Sequence, residues 1–402
     1  MKDQKAPKTN KHTTVANKKA PVSSQVIAAE SVQAEEVPTI PLDSLQTLTT
    51  LQPEVAVRAV TATQVATLPE PLVVQPAEYR RNLGEWLRIW GDGLRPSYLW
   101  FAILPLALGS VLAWISTISA HKPFGDFHPQ RFLVALAAVC LVQLGANLLN
   151  DYHDYVHGVD TSNSLGPGGL IQQGLIQPAR VLAAGLFLLI IGAFLGALAA
   201  IYGGMPAFVF GALGLLGAYF YSAPPRSLSS LTLGEVTSFW VFGPLLTMGA
   251  YVIQGEKLDT LPLTLSISLG LLISAVLYVN DMRDAESDTQ ARKYTLAALL
   301  GVRSNRVICT LLLLGAYAPI CFLGVPSHGP HLILITFWTL PPMIALLIGL
   351  YRTTTPASLH VTMRQTIKLA ILFTVLLLAA LIISTYWHWL QSFGLPGIPT
   401  FF

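Results

Sequence analysis

Charged side chains are scarce in this chain of 402 residues, of which only 11% are Asp, Glu, Lys or Arg. Ordinary soluble domains carry roughly 25%. The mean hydropathy is correspondingly high, at +0.57. This composition argues against a soluble globular protein and predicts a chain that lies largely in a lipid bilayer.

Cysteine is also scarce, with residues at positions 140, 309 and 321 only. All three fall inside apolar runs and lack the spacing of a metal site, so we expect small buried residues and neither a disulfide framework nor a zinc site. A secretory signal is not expected either, because no apolar core follows the early lysines.

Long apolar runs dominate the chain from about residue 98 onward, each near the length of about 20 residues that a helix needs to cross a bilayer. The third and fourth runs are separated only by Tyr202, Gly203 and Gly204, where we expect a tight hairpin. The predicted fold is an all-α polytopic membrane protein with nine transmembrane helices. The predicted spans are 98–118, 131–150, 181–202, 205–222, 236–254, 262–280, 306–325, 331–351 and 367–390.

Four regions follow from this pattern. Residues 1–79 hold many Pro, Thr, Gln, Val and Ala without a helical or alternating period, so we expect a disordered N-terminal tail. Residues 80–97 combine tryptophans with arginines and predict an interfacial amphipathic segment. Residues 98–390 form the transmembrane domain, and 391–402 a short C-terminal tail.

Lysine and arginine are distributed unequally between the two sides of the predicted bundle. One side has only Lys122, Arg131 and Lys257, whereas the other has fourteen basic residues. We therefore expect this second side, with the N-terminus, to face the cytoplasm. It carries Arg80, Arg81, Arg88, Arg95, Arg180, Arg226, Arg283, Arg292, Lys293, Arg303, Arg306, Arg352, Arg364 and Lys368.

The pattern Asn-Asp-x-x-Asp occurs twice, each time where an apolar run ends. The first motif is Asn150, Asp151 and Asp154, and the second is Asn280, Asp281 and Asp284. Four predicted spans separate the motifs, so both lie on the same face of the membrane. A helix continued through each motif would present Asn147, Asp151 and Asp154 on one face, and likewise Asp281, Asp284 and Asp288.

Carboxylates beside hydrocarbon are costly and are usually retained for a function. Two facing acidic clusters would repel each other unless cations lie between them, and Mg²⁺ is a hard cation that binds oxygen ligands while keeping positions open for phosphates. The sequence therefore predicts a magnesium and diphosphate site, with Arg283, Arg292 and Lys293 neutralising phosphate oxygens. For either motif taken alone, the alternative interpretation is a helix end whose acidic side chains face water.

Two nearby features carry less information. His153 and His157 are four residues apart and could bind a metal, but the surrounding carboxylates favour a harder ion, so we interpret them as loop or acceptor-site residues. Residues 166–169, Gly-Pro-Gly-Gly, have the composition of a phosphate-binding loop and are more simply a turn after the first motif.

Over residues 90–390 the sequence resembles the UbiA superfamily of intramembrane aromatic prenyltransferases. The resemblance rests on Asn-Leu-Leu-Asn-Asp-Tyr-His-Asp at 147–154 with Gly158 and Asp160, and on the second motif with Asp288 and Lys293. Arg95-Pro96 and Gly234-Glu235 make the chain most similar to 1,4-dihydroxy-2-naphthoate polyprenyltransferases of menaquinone biosynthesis.

The resemblance implies nine helices around a central cavity and Mg²⁺-dependent transfer of a polyprenyl group from a polyprenyl diphosphate to an aromatic acceptor. It also implies a lipid-embedded enzyme, in a bacterial inner membrane, with no nucleic-acid partner. The implied metal ligands are Asn150, Asp151, Asp154, Asp160, Asp281, Asp284 and Asp288. Catalysis is expected to depend on Asp151, Asp154, Asp284, Asp288 and Lys293. Substrate contacts are expected at Asn147, Asn150, Arg283, Arg292 and Tyr221.

The chain departs from the family pattern at two positions. Arg292 stands where the family often has Gly before the motif lysine, and Gly168-Gly169 stands where the family often has a basic residue. Other acceptors, such as 4-hydroxybenzoate or homogentisate, stay open. A cation-coupled transporter is a further alternative, but its acids would be expected near mid-bilayer on broken helices.

Overall fold

The computed structural model describes residues 81–119, 121–158, 169–224, 227–325, 330–352 and 355–391. Within these ranges the regular secondary structure is helical, joined by turns and irregular segments that include two isolated β-bridges. The helices, numbered here in chain order, are α1 (Leu83–Leu94), α2 (Trp100–Ser116), α3 (Pro129–Val156), α4 (Pro178–Phe220), α5 (Gly234–Ile253), α6 (Thr260–Gln290), α7 (Leu296–Leu299), α8 (Val302–Leu323), α9 (His331–Arg352) and α10 (Pro356–Gln391).

The all-helical membrane architecture predicted from the apolar runs is confirmed. Seven helices in the described part of the chain are long and apolar enough to cross a membrane, and an eighth span follows if α1 and α2, bent by 45° at their junction, count as one. The predicted count of nine also requires α4 to cross twice and stays a prediction. The tails and the region boundaries likewise stay predictions, and residues 1–79 lie outside the described residues.

The 43-residue helix α4 is interrupted at Gly204, within the predicted hairpin. Gly204 has φ 63°, in the left-handed region that glycine tolerates best. Val181, near the start of α4, packs with Leu148 of α3. Just beyond the other end of α4, Ser222 accepts a hydrogen bond of 3.1 Å from Asn150. Both ends of α4 therefore lie beside the C-terminal part of α3.

The middle of α4 lies at the opposite end of the bundle. The Arg131 guanidinium, near the start of α3, lies 4.8 Å from the ring centroid of Tyr202. The same guanidinium donates to the Gln254 carbonyl at 3.0 Å, at the end of α5. The chain therefore reverses direction near Gly204, and α4 runs the length of the bundle twice.

Glycines set the spacing between neighbouring helices around the cavity. A Cβ at Gly145 of α3 would lie 2.8 Å from the Gly185 carbonyl oxygen of α4, and a Cβ at Gly243 of α5 would lie 2.8 Å from the Gly270 Cα of α6. Small residues of this kind let membrane helices approach closely. Gly243 lies in a π-helical turn, Val241–Leu245, that carries α5 past Pro244 without ending the helix.

Helix α1 is fixed against the bundle on one face. Its N-terminus is closed by a capping box, in which Asn82 accepts from the Glu85 amide at 2.9 Å and the Glu85 carboxylate accepts from the Asn82 amide at 3.2 Å. Trp86, Ile89 and Trp90 pack against the apolar cluster around Leu148. The predicted tryptophan face thus contacts protein, and the interfacial position of the helix stays a prediction.

The cysteines differ in their surroundings. Cys309 is buried, Cys140 is half-buried, and Cys321 is exposed on the outside of α8. The expectation that all three are buried is wrong for Cys321, because an apolar run that faces lipid gives no sequence signal for which of its faces is packed against other helices.

Candidate active site

The first acidic motif lies at the C-terminal end of α3, which stays helical to Val156 as the spacing predicts. Asp151 is 2% exposed. The Asn147 amide donates to the Leu94 carbonyl at 2.9 Å, so this residue holds the end of α1 against α3. Its predicted contact with substrate stays a prediction.

Arg95 forms an ion pair with Asp151. It caps the C-terminus of α1 with φ 52°, a left-handed conformation that turns the chain between α1 and Pro96. The side chain of Arg95 is 17% exposed, and that of Asp151 is 2% exposed. A basic residue from outside the motif therefore supplies the positive charge that faces the first acidic cluster.

The second motif lies at the C-terminal end of α6. Arg283 forms two hydrogen bonds to the carboxylate of its neighbour Asp284, from Nε at 2.7 Å and from Nη2 at 2.6 Å. Nη2 also donates to the Asn280 side-chain oxygen at 3.0 Å. Such two-point contacts between guanidinium and carboxylate are strong and directional.

Lys293 joins the two motifs. Its Nζ lies 3.5 Å from Oδ1 of Asp154 on α3 and 3.7 Å from Oδ1 of Asp288 on α6. Burial alone would lower the pKa of Lys293, but the carboxylates of Asp154, Asp288 and Asp281 raise it above its ordinary value. Lys293 is therefore charged, and the two motifs form one site.

The backbone around Lys293 is fixed by the end of α6. The Lys293 amide donates to the Asp288 carbonyl at 2.8 Å, and the Thr295 hydroxyl donates to the Asp288 carboxylate at 3.4 Å. Arg292 has φ 56°, which explains why glycine is suited to this position, and its side chain is exposed. Its predicted contact with substrate stays a prediction.

A cavity of about 420 Å³ opens beneath the acidic residues, in agreement with the predicted central cavity. Asn150, Asn280 and Tyr221 line its polar end, and the remaining wall is largely alanine, glycine and other apolar residues from α3, α4 and α5. Burial, and after it the Asp281 carboxylate, raises the pKa of Tyr221, so its hydroxyl stays protonated. An apolar space that ends in charged groups suits a molecule with a long hydrocarbon part and an anionic head.

Glu235 is a further acidic residue of the site, to which the sequence analysis assigned no chemistry. It begins α5, is 8% exposed and lies in hydrogen-bonding contact with the Asp281 side chain. Its Oε1 atom is buried and has no hydrogen-bond partner in the part of the chain that the structure describes. The sequence signal that could have pointed to Glu235 is a carboxylate at the very start of an apolar run.

The donor atoms of the site fit a hard divalent cation, because carboxylate and amide oxygens are the ligands that Mg²⁺ prefers. The buried Glu235 Oε1 atom adds an oxygen to which none of the described residues donates a hydrogen bond. Among the described residues, no three His, Cys, Asp or Glu side chains are already gathered around one point. Basic side chains face several of the carboxylates instead, and the predicted ligand Asp160 lies outside the described residues.

The two histidines at the end of α3 lie beside each other, with ring centroids 6.4 Å apart. Nδ1 of His157 lies 2.7 Å from the His153 carbonyl oxygen of its own helix. Their predicted role as loop or acceptor-site residues stays a prediction.

Comparison with known proteins identifies the family. The model of the UbiA prenyltransferase family matches residues 104–372. The chain belongs to the UbiA prenyltransferase family.

Named relatives agree with this assignment. The chain is 30% identical over 317 residues to a 1,4-dihydroxy-2-naphthoate octaprenyltransferase of Haemophilus influenzae, covering 76% of this chain and 99% of the relative. It is 25% identical over 312 residues to the protein of that name from Bacillus subtilis, covering 78% and 97%. The predicted resemblance is therefore confirmed, and this UbiA-family chain is an integral membrane prenyltransferase.

A solved structure shares the fold. The structure of a UbiA homolog from Archaeoglobus fulgidus bound to GPP and Mg2+ superposes with a TM-score of 0.54 at 14% identity, covering 73% of this chain and 99% of the homolog. At this level of identity the comparison supports the shared helical architecture alone.

Proposed function

We propose that this protein transfers a polyprenyl group from a polyprenyl diphosphate to an aromatic acceptor, 1,4-dihydroxy-2-naphthoate. The observation that carries the proposal is the position of Lys293, whose Nζ lies within 3.7 Å of both acidic motifs. One diphosphate can therefore reach residues from both motifs, with its hydrocarbon chain in the cavity below.

We propose that the site works with Mg²⁺, which the homolog from Archaeoglobus fulgidus binds together with GPP. The carboxylates of both motifs and the Asn150 side chain would hold the cation. When bound, it would supply positive charge to the leaving diphosphate. The carboxylates proposed as ligands are Asp151, Asp154, Asp160, Asp281, Asp284 and Asp288.

Basic residues of the chain would bind the diphosphate oxygens as the carboxylates turn to the metal. Lys293 and Arg95 lie against Asp154 and Asp151, respectively, and Arg283 lies against Asp284. In this proposal the three basic side chains leave their carboxylate partners and bind phosphate oxygens instead. They then stabilise the charge that develops on the leaving group. Arg292, next to Lys293, is the fourth candidate.

The cavity would protect the reactive end of the prenyl chain. As the bond between C1 and the diphosphate oxygen breaks, an allylic cation develops at C1, and the electron-rich ring attacks it to form a carbon–carbon bond. With 1,4-dihydroxy-2-naphthoate, the bond from that ring carbon to the carboxylate then breaks and CO₂ leaves. The apolar wall keeps water from the cation, and Tyr221 and Asn280 line the end where the ring would lie.

The choice of acceptor rests on the two relatives named for 1,4-dihydroxy-2-naphthoate. Its test is to incubate membranes that contain the protein with a labelled polyprenyl diphosphate and with 1,4-dihydroxy-2-naphthoate, 4-hydroxybenzoate or homogentisate. We expect labelled product with the naphthoate alone, and only with Mg²⁺ present. Product from another ring alone would replace the proposed acceptor, and no product from any ring would contradict aromatic prenyl transfer.

The excess of basic residues on the motif side supports a cytoplasmic active site, in the plasma membrane of a bacterium. The transporter alternative lacks support, because the acidic residues gather at the ends of α3 and α6 and none of the described motif acids lies mid-helix.

A further inference from the structure

The carboxylates of the two motifs differ in the charge that faces them. Asp151 pairs with Arg95, Asp284 with Arg283, and Lys293 lies between Asp154 and Asp288. The remaining acid of the second motif, Asp281, forms no ion pair with any residue that the structure describes.

Asp281 instead faces another acid. The Glu235 side chain lies in hydrogen-bonding contact with it; Glu235 is 8% exposed and Asp281 is half-buried. Two carboxylates accept hydrogen bonds and cannot donate one to each other. When both groups are ionised, a cation between them would offset the strong repulsion of two like charges this close in a buried site.

The backbone of Glu235 is anchored so that its side chain stays at this position. Its carbonyl oxygen accepts hydrogen bonds from the hydroxyl of Ser238 at 2.9 Å and from that of Ser274 on α6 at 3.0 Å. The two hydroxyls are themselves 3.2 Å apart. The start of α5 is thereby tied to α6 about two turns before Asp281.

The Oε1 atom of Glu235 is the feature that points to a ligand. It is buried and has no hydrogen-bond partner among the described residues. A buried oxygen without a partner costs free energy, and a metal ion would satisfy it. The neighbouring Asn280 lines the same end of the cavity, and its side-chain oxygen accepts from Arg283 Nη2 at 3.0 Å.

We propose that Glu235 is a ligand of the divalent cation that Asp281 binds, so that the second acidic site takes its carboxylates from two helices, α5 and α6. The inference rests on the proposed function, in that it takes the site to bind a divalent metal. A metal bound at the start of α5 would also affect the cavity, because the cavity is lined by Thr237, Ser238 and Val241 of the same helix. Metal binding at Glu235 would fix that wall in position.

The test is Mn²⁺ binding to the full-length protein in detergent, without prenyl diphosphate, measured by electron paramagnetic resonance of the free ion. Glu235→Gln keeps the size of the side chain and removes its charge. We expect the Kd for Mn²⁺ to rise about 10- to 100-fold. Glu286→Gln, an identical change at an exposed position of α6, is the matched control and is expected to change the Kd by less than about twofold.

Glu235→Asp provides a second variant that keeps the charge but draws the carboxylate back by one methylene group. We expect a Kd between those of the wild-type protein and Glu235→Gln. Should the Gln variant not fold, as judged by its melting temperature without metal, the Asp variant decides. A wild-type Kd in a folded Gln variant, or in the Asp variant where the Gln variant is lost, overturns the proposal.

Two reference measurements separate this inference from the proposed function. If the wild-type protein binds no Mn²⁺, the metal-dependent function fails and the inference fails with it. If the wild-type protein binds Mn²⁺ and Asp281→Asn weakens that binding while Glu235→Gln does not, only the role of Glu235 is wrong.

Discussion

The two acidic motifs have the same five-residue pattern, yet they obtain their opposing charge from different places. Asp151 of the first motif pairs with Arg95, which is 56 positions away in the sequence and on a different helix. Asp284 of the second motif pairs with its immediate neighbour Arg283. The first motif therefore depends on the packing of α1, whereas the second is largely complete within α6.

The two acidic motifs also differ in their surroundings. Helix α6 is the more buried of the two, and its motif faces Glu235 of α5 and Lys293 of the following loop. The end of α3 leads into residues outside the described part of the chain. Two motifs with the same sequence pattern therefore need not contribute equally to catalysis or stability, and variants can separate their roles.

The largest expected effect is on catalysis when either motif loses a carboxylate. Asp151→Asn and Asp284→Asn should each lower the rate of prenyl transfer about 10³-fold, because each removes charge from one metal-diphosphate assembly. The measurement is transfer from labelled polyprenyl diphosphate in membranes. Asp126→Asn, an exposed residue paired with Lys122, is the control and should keep the wild-type rate. A near-normal rate in either motif variant would contradict a metal-diphosphate assembly that needs carboxylates from both motifs.

The next effect is on stability, and it should differ between the motifs. Arg283→Gln leaves the buried Asp284 carboxylate without its guanidinium partner, and should lower the free energy of unfolding by about 3 kcal/mol. Arg95→Gln should cost more, because the Asp151 side chain that loses its guanidinium is 2% exposed, whereas that of Asp284 is 12% exposed and keeps the Asn280 amide as a donor at 3.4 Å. Unfolding in detergent, followed by circular dichroism, measures both.

The matched control for this comparison is the double variant Arg283→Gln, Asp284→Asn. Removing both charges should recover part of the stability, since the buried negative charge that lost its guanidinium is then gone. Equal losses in the two arginine variants would contradict the difference inferred between the motifs.

Lys293→Gln tests the residue that the motifs share. Loss of its charge should lower the rate of prenyl transfer about 10²-fold, because Lys293 is placed to contact the diphosphate from between both motifs. Lys257→Gln changes an exposed lysine at the other end of the bundle and should have no measurable effect. If Lys293→Gln is as active as this control, the contacts of Lys293 with the two motifs have no role in prenyl transfer.

The smallest expected effect concerns the cavity that both motifs overlie. Gly211 lines it, and a Cβ at this position would meet no other atom within 4 Å, so Gly211→Phe should fill space without displacing a helix. We expect the ratio of rates with a long polyprenyl diphosphate and with geranyl diphosphate to fall about tenfold. Gly349→Phe, on α9 and with similar space, should leave this ratio unchanged.

Much of this arrangement was predictable from local patterns. Apolar runs predicted the membrane helices, and the four-residue and seven-residue spacing of Asn147, Asp151 and Asp154 predicted one helical face that the structure keeps to Val156. The break near Gly204 followed from the length of the run. These features depend on a few residues that are close together in the chain.

Contacts between distant segments were not predictable in the same way. Nothing in the sequence pairs Arg95 with Asp151 or brings Glu235 against Asp281, because both contacts depend on how α1 and α5 pack in three dimensions. The burial of individual residues on lipid-facing helices could not be predicted from the sequence either, as the exposed Cys321 shows.

Cross-linking between the motifs tests the single shared site most directly. In a variant with Cys140, Cys309 and Cys321 replaced by serine, Asp154→Cys and Lys293→Cys should be joined by a short bifunctional thiol reagent in most molecules, because these side chains approach to 3.5 Å. Asp154→Cys with Lys257→Cys, at opposite ends of the bundle, should not be joined. Absence of the first cross-link, while each cysteine alone still reacts with a maleimide, would contradict a site built from both motifs.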